Sequence, residues 1–160
     1  MDLLDLLLDH DHWATRQLLD ACGALPDAQL DQPFDIGHRT LRATFVHVIR
    51  NLPFWTAFLD GRQPEEPSEE GAALAELTGE HERGYAAFAS AARRLRDEGR
   101  LGETFQDHYG VRKSFGGTAL MVIEHNAEHR TEILHILQRL NAPDQPEVDL
   151  GVWEYELLNP

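Results

Sequence analysis

The chain has 160 residues, of which 42% are hydrophobic and 26% are charged, and this is the size and composition of one globular domain. An excess of acidic over basic residues gives a formal net charge of −14 at pH 7. That charge repels phosphate backbones and anionic lipids, so it argues against nucleic-acid and membrane-surface roles. Cys22 is the only cysteine, which excludes an intrachain disulfide and a cysteine zinc cluster. With no basic leader and no apolar run of membrane-spanning length, the sequence predicts a cytoplasmic protein.

Apolar residues recur at three- and four-residue steps in four segments, and this periodicity predicts four amphipathic helices. The predicted helices cover residues 2–22, 40–59, 72–97 and 118–140. Thr40 is a suitable N-cap for the second helix, and Pro53 inside that helix predicts a kink. Asn141 is suited to a left-handed cap after the fourth helix.

The segments between these helices carry turn and loop signals. Residues 24–37 and the acidic stretch 61–71 contain prolines and glycines and predict loops. Residues 100–117 break the helical periodicity and predict a small hairpin that turns at Gly110.

The tail, residues 142–160, is polar, and its two aromatic residues, Trp153 and Tyr155, are expected to fold back onto the helices. Four helices of this length favour an all-α four-helix bundle with a small irregular segment before the last helix. We found no internal repeat, and the sequence predicts a single domain over residues 1–160.

Three of the nine histidines have a spacing that suits metal binding. His125 and His129 lie four residues apart on the last predicted helix, which places their Cβ atoms about 5–6 Å apart on one face. His47 lies in an apolar stretch of the second helix, so a bundle can bring the three imidazoles together. Three protein ligands leave one position open, as in catalytic zinc sites. The alternative is coincidence, because nine histidines produce chance pairs and a lone core histidine is usually hydrogen-bonded.

Other residues are candidates for a pocket beside these histidines, with weaker signals. The candidate pocket residues are His10, Trp13, Trp55 and Arg130. For His10, a core histidine bonded to a carbonyl is the simpler interpretation. Arg130 follows a predicted ligand, and it either holds an anionic cosubstrate group or pairs with a surface acid. The histidines interpreted as solvated or capping residues are His12, His38, His81 and His135.

Three motifs occur in an order known from one family. The first helix has Trp13 followed by a leucine pair, His47 is followed eight residues later by Trp55, and HNAEHR at 125–130 precedes an aliphatic stripe. In these motifs the chain resembles the DinB/YfiT-like superfamily of small metal-binding helical bundles. The resemblance covers nearly the whole chain.

This resemblance implies an up-down-down-up four-helix bundle, often found as a homodimer, in which His47, His125 and His129 bind a divalent metal ion. Zn²⁺ is favoured, with nickel, iron and manganese as other options. Characterised relatives are similar to thiol-dependent S-transferases or isomerases that use bacillithiol, mycothiol or glutathione. The resemblance therefore implies transfer of a low-molecular-weight thiol to a small electrophilic substrate, as in detoxification.

Two alternatives use the same three histidines. A metal ion also lowers the pKa of bound water, which would make the protein a metal-dependent hydrolase. In the other alternative, the protein is a metal-binding or interaction bundle without catalysis, and the ion contributes only stability. The histidines serve all three functions equally, so the choice depends on the pocket that receives the second substrate.

Overall fold

The structure, a computed structural model, describes residues 2–159. The helices in this range are α1 (Leu3–Cys22), α2 (Asp27–Leu30), α3 (Leu41–Leu59), α4 (Leu74–Asp97), α5 (Phe115–Arg139) and α6 (Leu150–Leu158). Strands β1 (Thr104–Gln106) and β2 (Arg112–Ser114) form an antiparallel hairpin. The predicted all-α bundle and its hairpin are confirmed. None of the helices described is long and apolar enough to cross a membrane.

Contacts between the four long helices give their directions. Helix α1 runs antiparallel to α4, α3 runs parallel to α4, and α5 runs antiparallel to α3, which is the up-down-down-up arrangement. The contacts that fix these directions are Asp5–Arg93 and Arg16–Glu82 between α1 and α4, Arg50–Glu80 and Asp60–Arg94 between α3 and α4, and His38–His129 and His47–His125 on the α3–α5 side.

Two apolar clusters fill the bundle. One contains Phe88 of α4 and the early residues of α5 up to Ile123. The other contains Phe45 of α3 and the later residues of α5 from Ile133 onward. Between them along α5 lies the segment 125–130, which carries polar side chains. The fold therefore places the polar part of α5 at the junction of two apolar regions.

Helix α3, which carries one side of the site, matches its prediction closely. Thr40 is the N-cap, and its side chain accepts a hydrogen bond from the Ala43 amide at 3.0 Å. The helix runs through Pro53 without a break. A Cβ at Gly84 of α4 would lie 3.2 Å from the Leu52 Cβ, so this glycine allows α4 to approach α3 closely.

Helix α5 begins at Phe115, three residues earlier than predicted. Ser114 is the N-cap and accepts a hydrogen bond from the Gly117 amide at 3.1 Å. Gly116 is in the first turn, where a Cβ would lie 3.1 Å from the Leu101 carbonyl oxygen. Paired glycines are poor helix formers, so periodicity alone placed the start too late. Here they allow the residues before the hairpin to approach the helix.

The tail differs most from its prediction, because it contains helix α6. Trp153 is buried and its ring centroid lies 5.8 Å from that of His10. Tyr155 remains 69% exposed. The expectation that both aromatic residues fold back is therefore correct for Trp153 and wrong for Tyr155. The predicted loop 24–37 likewise contains the short helix α2.

Candidate metal centre

Four histidine rings meet where α3 faces α5. Helix α3 supplies His47, two successive turns of α5 supply His125 and His129, and the loop before α3 supplies His38. The ring centroids of His47 and His125 are 5.1 Å apart, and those of His125 and His129 are 4.4 Å apart. The His47 and His129 centroids are separated by 4.9 Å. The structure therefore brings together the three histidines that the sequence selected.

The ring nitrogens lie at separations that suit one ion. The Nε2 atoms of His47 and His125 are 2.9 Å apart. His38, His47 and His129 each offer a ring nitrogen within 4.8 Å of those of the other two. Zinc-bound imidazole nitrogens at about 2.0–2.1 Å from the ion lie roughly 3.3 Å from one another in a tetrahedron. The His47–His125 separation is close to this value, whereas the group whose nitrogens all lie within 4.8 Å of one another does not include His125.

His129 shows most directly that these residues fit a cation. Its Nδ1 donates to Glu132 Oε2 at 2.7 Å, which leaves the other nitrogen unprotonated in the neutral ring. That Nε2 is buried and has no hydrogen-bond partner among the described residues. A buried polar atom without a partner costs about 1–3 kcal/mol. A carboxylate behind the imidazole is also the usual outer support of a metal-binding histidine.

The surroundings favour the neutral form of the His38, His47 and His125 rings. Burial, and then the neighbouring imidazoles, lower the pKa of His47 to about 4. Burial is also the main cause of the lowered pKa values of His38 and His125. Imidazole binds metal ions in its neutral form, so at neutral pH these side chains are ready for an ion.

A cavity of about 460 Å³ opens beside His47 and His125. This volume suits a small ligand. The other residues that line it are Asn51, Phe54, Trp55, Glu66, Pro67, Glu69, His108, Tyr109, Met121 and Val122. The predicted pocket residue Trp55 thus lies beside two of the histidines, together with aromatic side chains from the hairpin and carboxylates from the loop 61–71.

A family model of the DinB superfamily matches residues 10–133, which is well over half of the chain. The chain belongs to the DinB superfamily. The matched range includes His47, His125 and His129. A search of curated proteins gives no match to the chain.

The predicted pocket residue His10 of this DinB domain lies against the tail, and Trp13 lies beside it. The His10 Nε2 is 2.9 Å from the Val148 carbonyl oxygen, and the His10 ring contacts Trp13 and Trp153. This matches the simpler interpretation of His10 as a histidine bonded to a backbone carbonyl. In the described part of the chain, neither His10 nor Trp13 has a ring contact with the four histidines.

Arg130 lies in the interior of the DinB bundle and is only 5% exposed. It forms an ion pair with the buried Asp11 of α1, and Asn126 donates a second hydrogen bond to the same carboxylate at 2.9 Å. Burial raises the Asp11 pKa, and the charge of Arg130 opposes that rise. The sequence had suggested either an anionic cosubstrate or a surface acid as the partner of Arg130, and here its partner is a buried acid.

Sequence reasoning missed His38 and His81. His38 was interpreted as solvated or capping, yet its ring stacks on His47 with centroids 3.9 Å apart. Helical periodicity cannot place a loop residue, although Gly37 beside it signals an unusual backbone turn. His81 was interpreted in the same way, but it is 1% exposed and contacts His12.

Proposed function

We propose that this protein is a metal-dependent S-transferase that joins a low-molecular-weight thiol of the bacillithiol type to small electrophiles. The main supporting observation is that His47, His125 and His129 converge beside a cavity of ligand size. We propose Zn²⁺ as the ion, because imidazole suits it and its borderline-soft character tolerates a sulfur ligand. Nickel, iron and manganese are the other options that metal analysis distinguishes.

The side chains have separate tasks in this proposal. A bound divalent ion supplies the positive charge that holds a thiol as thiolate at neutral pH. Glu132 fixes the orientation and tautomer of His129 through its hydrogen bond. The Asn51 Nδ2 lies 3.1 Å from the His47 Nε2 and donates to it, so this amide would have to release that nitrogen when an ion binds there.

The transfer step needs no further cofactor. The thiol proton passes to solvent, and the thiolate sulfur attacks the electrophilic carbon. A sulfur–carbon bond forms, and the bond to the leaving group breaks with its electron pair. Phe54 and Trp55 give the cavity an apolar wall on which a small electrophile packs beside the attacking sulfur.

Charged side chains near the cavity bear on which thiol and which electrophile can bind. Lys113, the only lysine in the chain, places its Nζ 5.9 Å from the Trp55 ring centroid and 3.7 Å from the Met121 Sδ. Its separation from the Asp107 carboxylate is 3.9 Å, too long for a strong hydrogen bond. Lys113 can therefore bind an anionic end of the thiol. The carboxylates of Glu66 and Glu69 disfavour an anionic electrophile.

The test combines metal analysis with a thiol-transfer assay. His47→Ala, His125→Ala and His129→Ala are each compared with the parent, and His135→Ala, an exposed histidine of α5, is the matched control. We expect stoichiometric metal in the parent and the control, and its loss in the three variants. Thiol-dependent consumption of monochlorobimane should follow the metal content. Equal metal retention in all variants would overturn the proposal.

The same assay separates the two alternatives. Turnover of esters or amides without added thiol would indicate a hydrolase. If metal removal lowers the melting temperature but no substrate is consumed, the ion has a structural role. Both results would contradict the transferase proposal while leaving the metal site intact.

The family resemblance also supports two proposals about the protein's setting. We propose that it acts as a homodimer in the cytoplasm. Light scattering on the purified protein should then give twice the mass of the 18.1 kDa chain. A mass equal to that of one chain would exclude the dimer.

A further inference from the structure

We infer that His38, on the loop before α3, is a fourth ligand of the metal ion. This inference rests on the proposed function, because it requires an ion between His47, His125 and His129. It adds a ligand that no helix of the bundle supplies. The result is a site with four imidazoles, one of them on a loop.

The position of the His38 ring supports this assignment. Its centroid lies 3.9 Å from that of His47 and 5.1 Å from that of His129. One ring nitrogen of His38 lies within 4.8 Å of nitrogens of both neighbours. The four imidazoles lie close together, and the buried Nε2 of His129 has no hydrogen-bond partner among the described residues. The cluster therefore has a ring nitrogen that its hydrogen bonds leave free to bind an ion.

The loop that carries His38 has a defined conformation. The Phe34 amide donates to the Arg39 carbonyl at 2.7 Å, and the Arg39 amide donates to the Ile36 carbonyl at 2.8 Å. The side chains of Phe34 and Ile36 pack against the apolar cluster that contains Phe45. His38 therefore lies at the tip of a closed turn that is anchored in the core.

The backbone is left-handed on both sides of His38, and the non-glycine residue Arg39 makes it strained on one side. Gly37 has φ +44° and Arg39 has φ +72°. A non-glycine residue in the left-handed region costs roughly 1–2 kcal/mol, and such residues concentrate at functional sites. A Cβ at Gly37 would collide with the Glu132 carboxylate, which also binds His129. One carboxylate thus supports His129 and fits against the backbone beside His38.

A fourth imidazole changes what an incoming thiol must do. Four nitrogens complete a tetrahedral shell, whereas three leave a position open. With His38, His47, His125 and His129 all holding the ion, a thiol sulfur would have to displace one imidazole or bind as an additional ligand. His38 is the ligand that can leave most easily, because it is on a short turn and the other three are on long helices.

The test uses the visible spectrum and affinity of bound Co²⁺, which do not depend on turnover. The parent is compared with His38→Ala and with Gly37→Ala, which retains the imidazole but disturbs the turn. His108→Ala, a histidine that lines the cavity outside the cluster, is the matched control. Chelator competition gives the Co²⁺ and Zn²⁺ affinities. Circular dichroism of the metal-free proteins establishes that each variant is folded.

We expect His38→Ala to bind Co²⁺ at least about 10-fold more weakly and to shift its visible bands, because water replaces a nitrogen ligand. Gly37→Ala should weaken binding in the same direction, and His108→Ala should match the parent. If the parent binds one Co²⁺ and His38→Ala has the same affinity and spectrum, the fourth-ligand inference is wrong and the three-histidine site stands. If the parent binds no ion, both proposals fail.

Discussion

Helix α5 carries two polar pairs at four-residue spacing, displaced from each other by one residue. His125 and His129 face α3, where His125 lines a cavity, whereas Asn126 and Arg130 bind Asp11 of α1 in the interior. One residue along a helix corresponds to a rotation of about 100°, so the two pairs meet different neighbours.

Each cluster keeps one buried polar atom without a partner among the described residues, and the two clusters differ in their charged groups. In the Asp11 cluster the charges of Arg130 and Asp11 cancel, and Asn126 adds a hydrogen bond, although its Oδ1 accepts none. In the histidine cluster the imidazole rings crowd together and His129 keeps an unpartnered nitrogen. A buried cluster whose charges cancel holds helices together, and one with spare electron pairs is ready to bind an ion.

The largest loss of stability should come from breaking the buried ion pair between Asp11 and Arg130. Asp11→Ala leaves the Arg130 guanidinium buried without a partner, and removing one partner of a buried pair costs about 3–5 kcal/mol. Urea unfolding of the metal-free protein measures this loss. Asp20→Ala is the matched control, because Asp20 is on the same helix in a long, exposed pair with Arg16. That change should cost less than about 1 kcal/mol. Equal losses in the two variants would contradict a structural role for Arg130.

A third polar cluster, between α1 and α4, contains two histidines and not three or four. The His12 Nδ1 and His81 Nε2 are 3.1 Å apart, and the His12 ring stacks on Tyr85. Glu82 and Arg16 are the charged groups beside this pair. Only two imidazoles meet here, so we expect no stoichiometric ion and instead a dependence of stability on pH.

Burial lowers the pKa of His81 to about 4, below the usual value near 6.5. Below pH 6.5 the unfolded chain therefore binds a proton that the folded protein resists. The stability contribution present above that pH is lost as the pH falls towards 4, by up to about 3 kcal/mol. Urea unfolding across this range should show the loss in the parent and a flatter profile in His81→Phe. Parallel profiles would contradict the lowered pKa.

A smaller effect, on metal affinity, should follow from removing the carboxylate that supports His129 in the histidine cluster. Glu132→Gln keeps the size of the side chain but removes the charge that orients His129, and losing such a partner typically lowers metal affinity about 10–100-fold. Chelator competition with Zn²⁺ measures the change. Glu128→Gln, an exposed residue of the same helix, should bind metal as the parent does. If both variants lose affinity equally, Glu132 acts only through net charge.

The sequence predicted what depends on local spacing. The helices α1, α3 and α4 and the shared face of His125 and His129 follow from periodicity, because four residues make about one helical turn. The burial of Arg130 depends on Asp11, 119 residues away, and on which face of α5 meets α1. His38 reaches the cluster through a strained turn, which has no periodic signal. Long-range packing and loop conformation were therefore the parts that spacing could not supply.

The smallest expected effect concerns Lys113, which, like His129 of the histidine cluster, has a polar atom without a close partner in the described part of the chain. If this amine binds the anionic end of the thiol, Lys113→Met should raise the KM for an anionic thiol up to about 5-fold, which corresponds to an exposed ion pair, and leave kcat unchanged. Arg112→Met, the exposed neighbouring charge on β2, is the matched control and should leave KM unchanged. A neutral thiol should show no difference between the parent and Lys113→Met. Equal KM increases in both variants would show that the net charge of the hairpin attracts the thiol and that Lys113 has no specific contact.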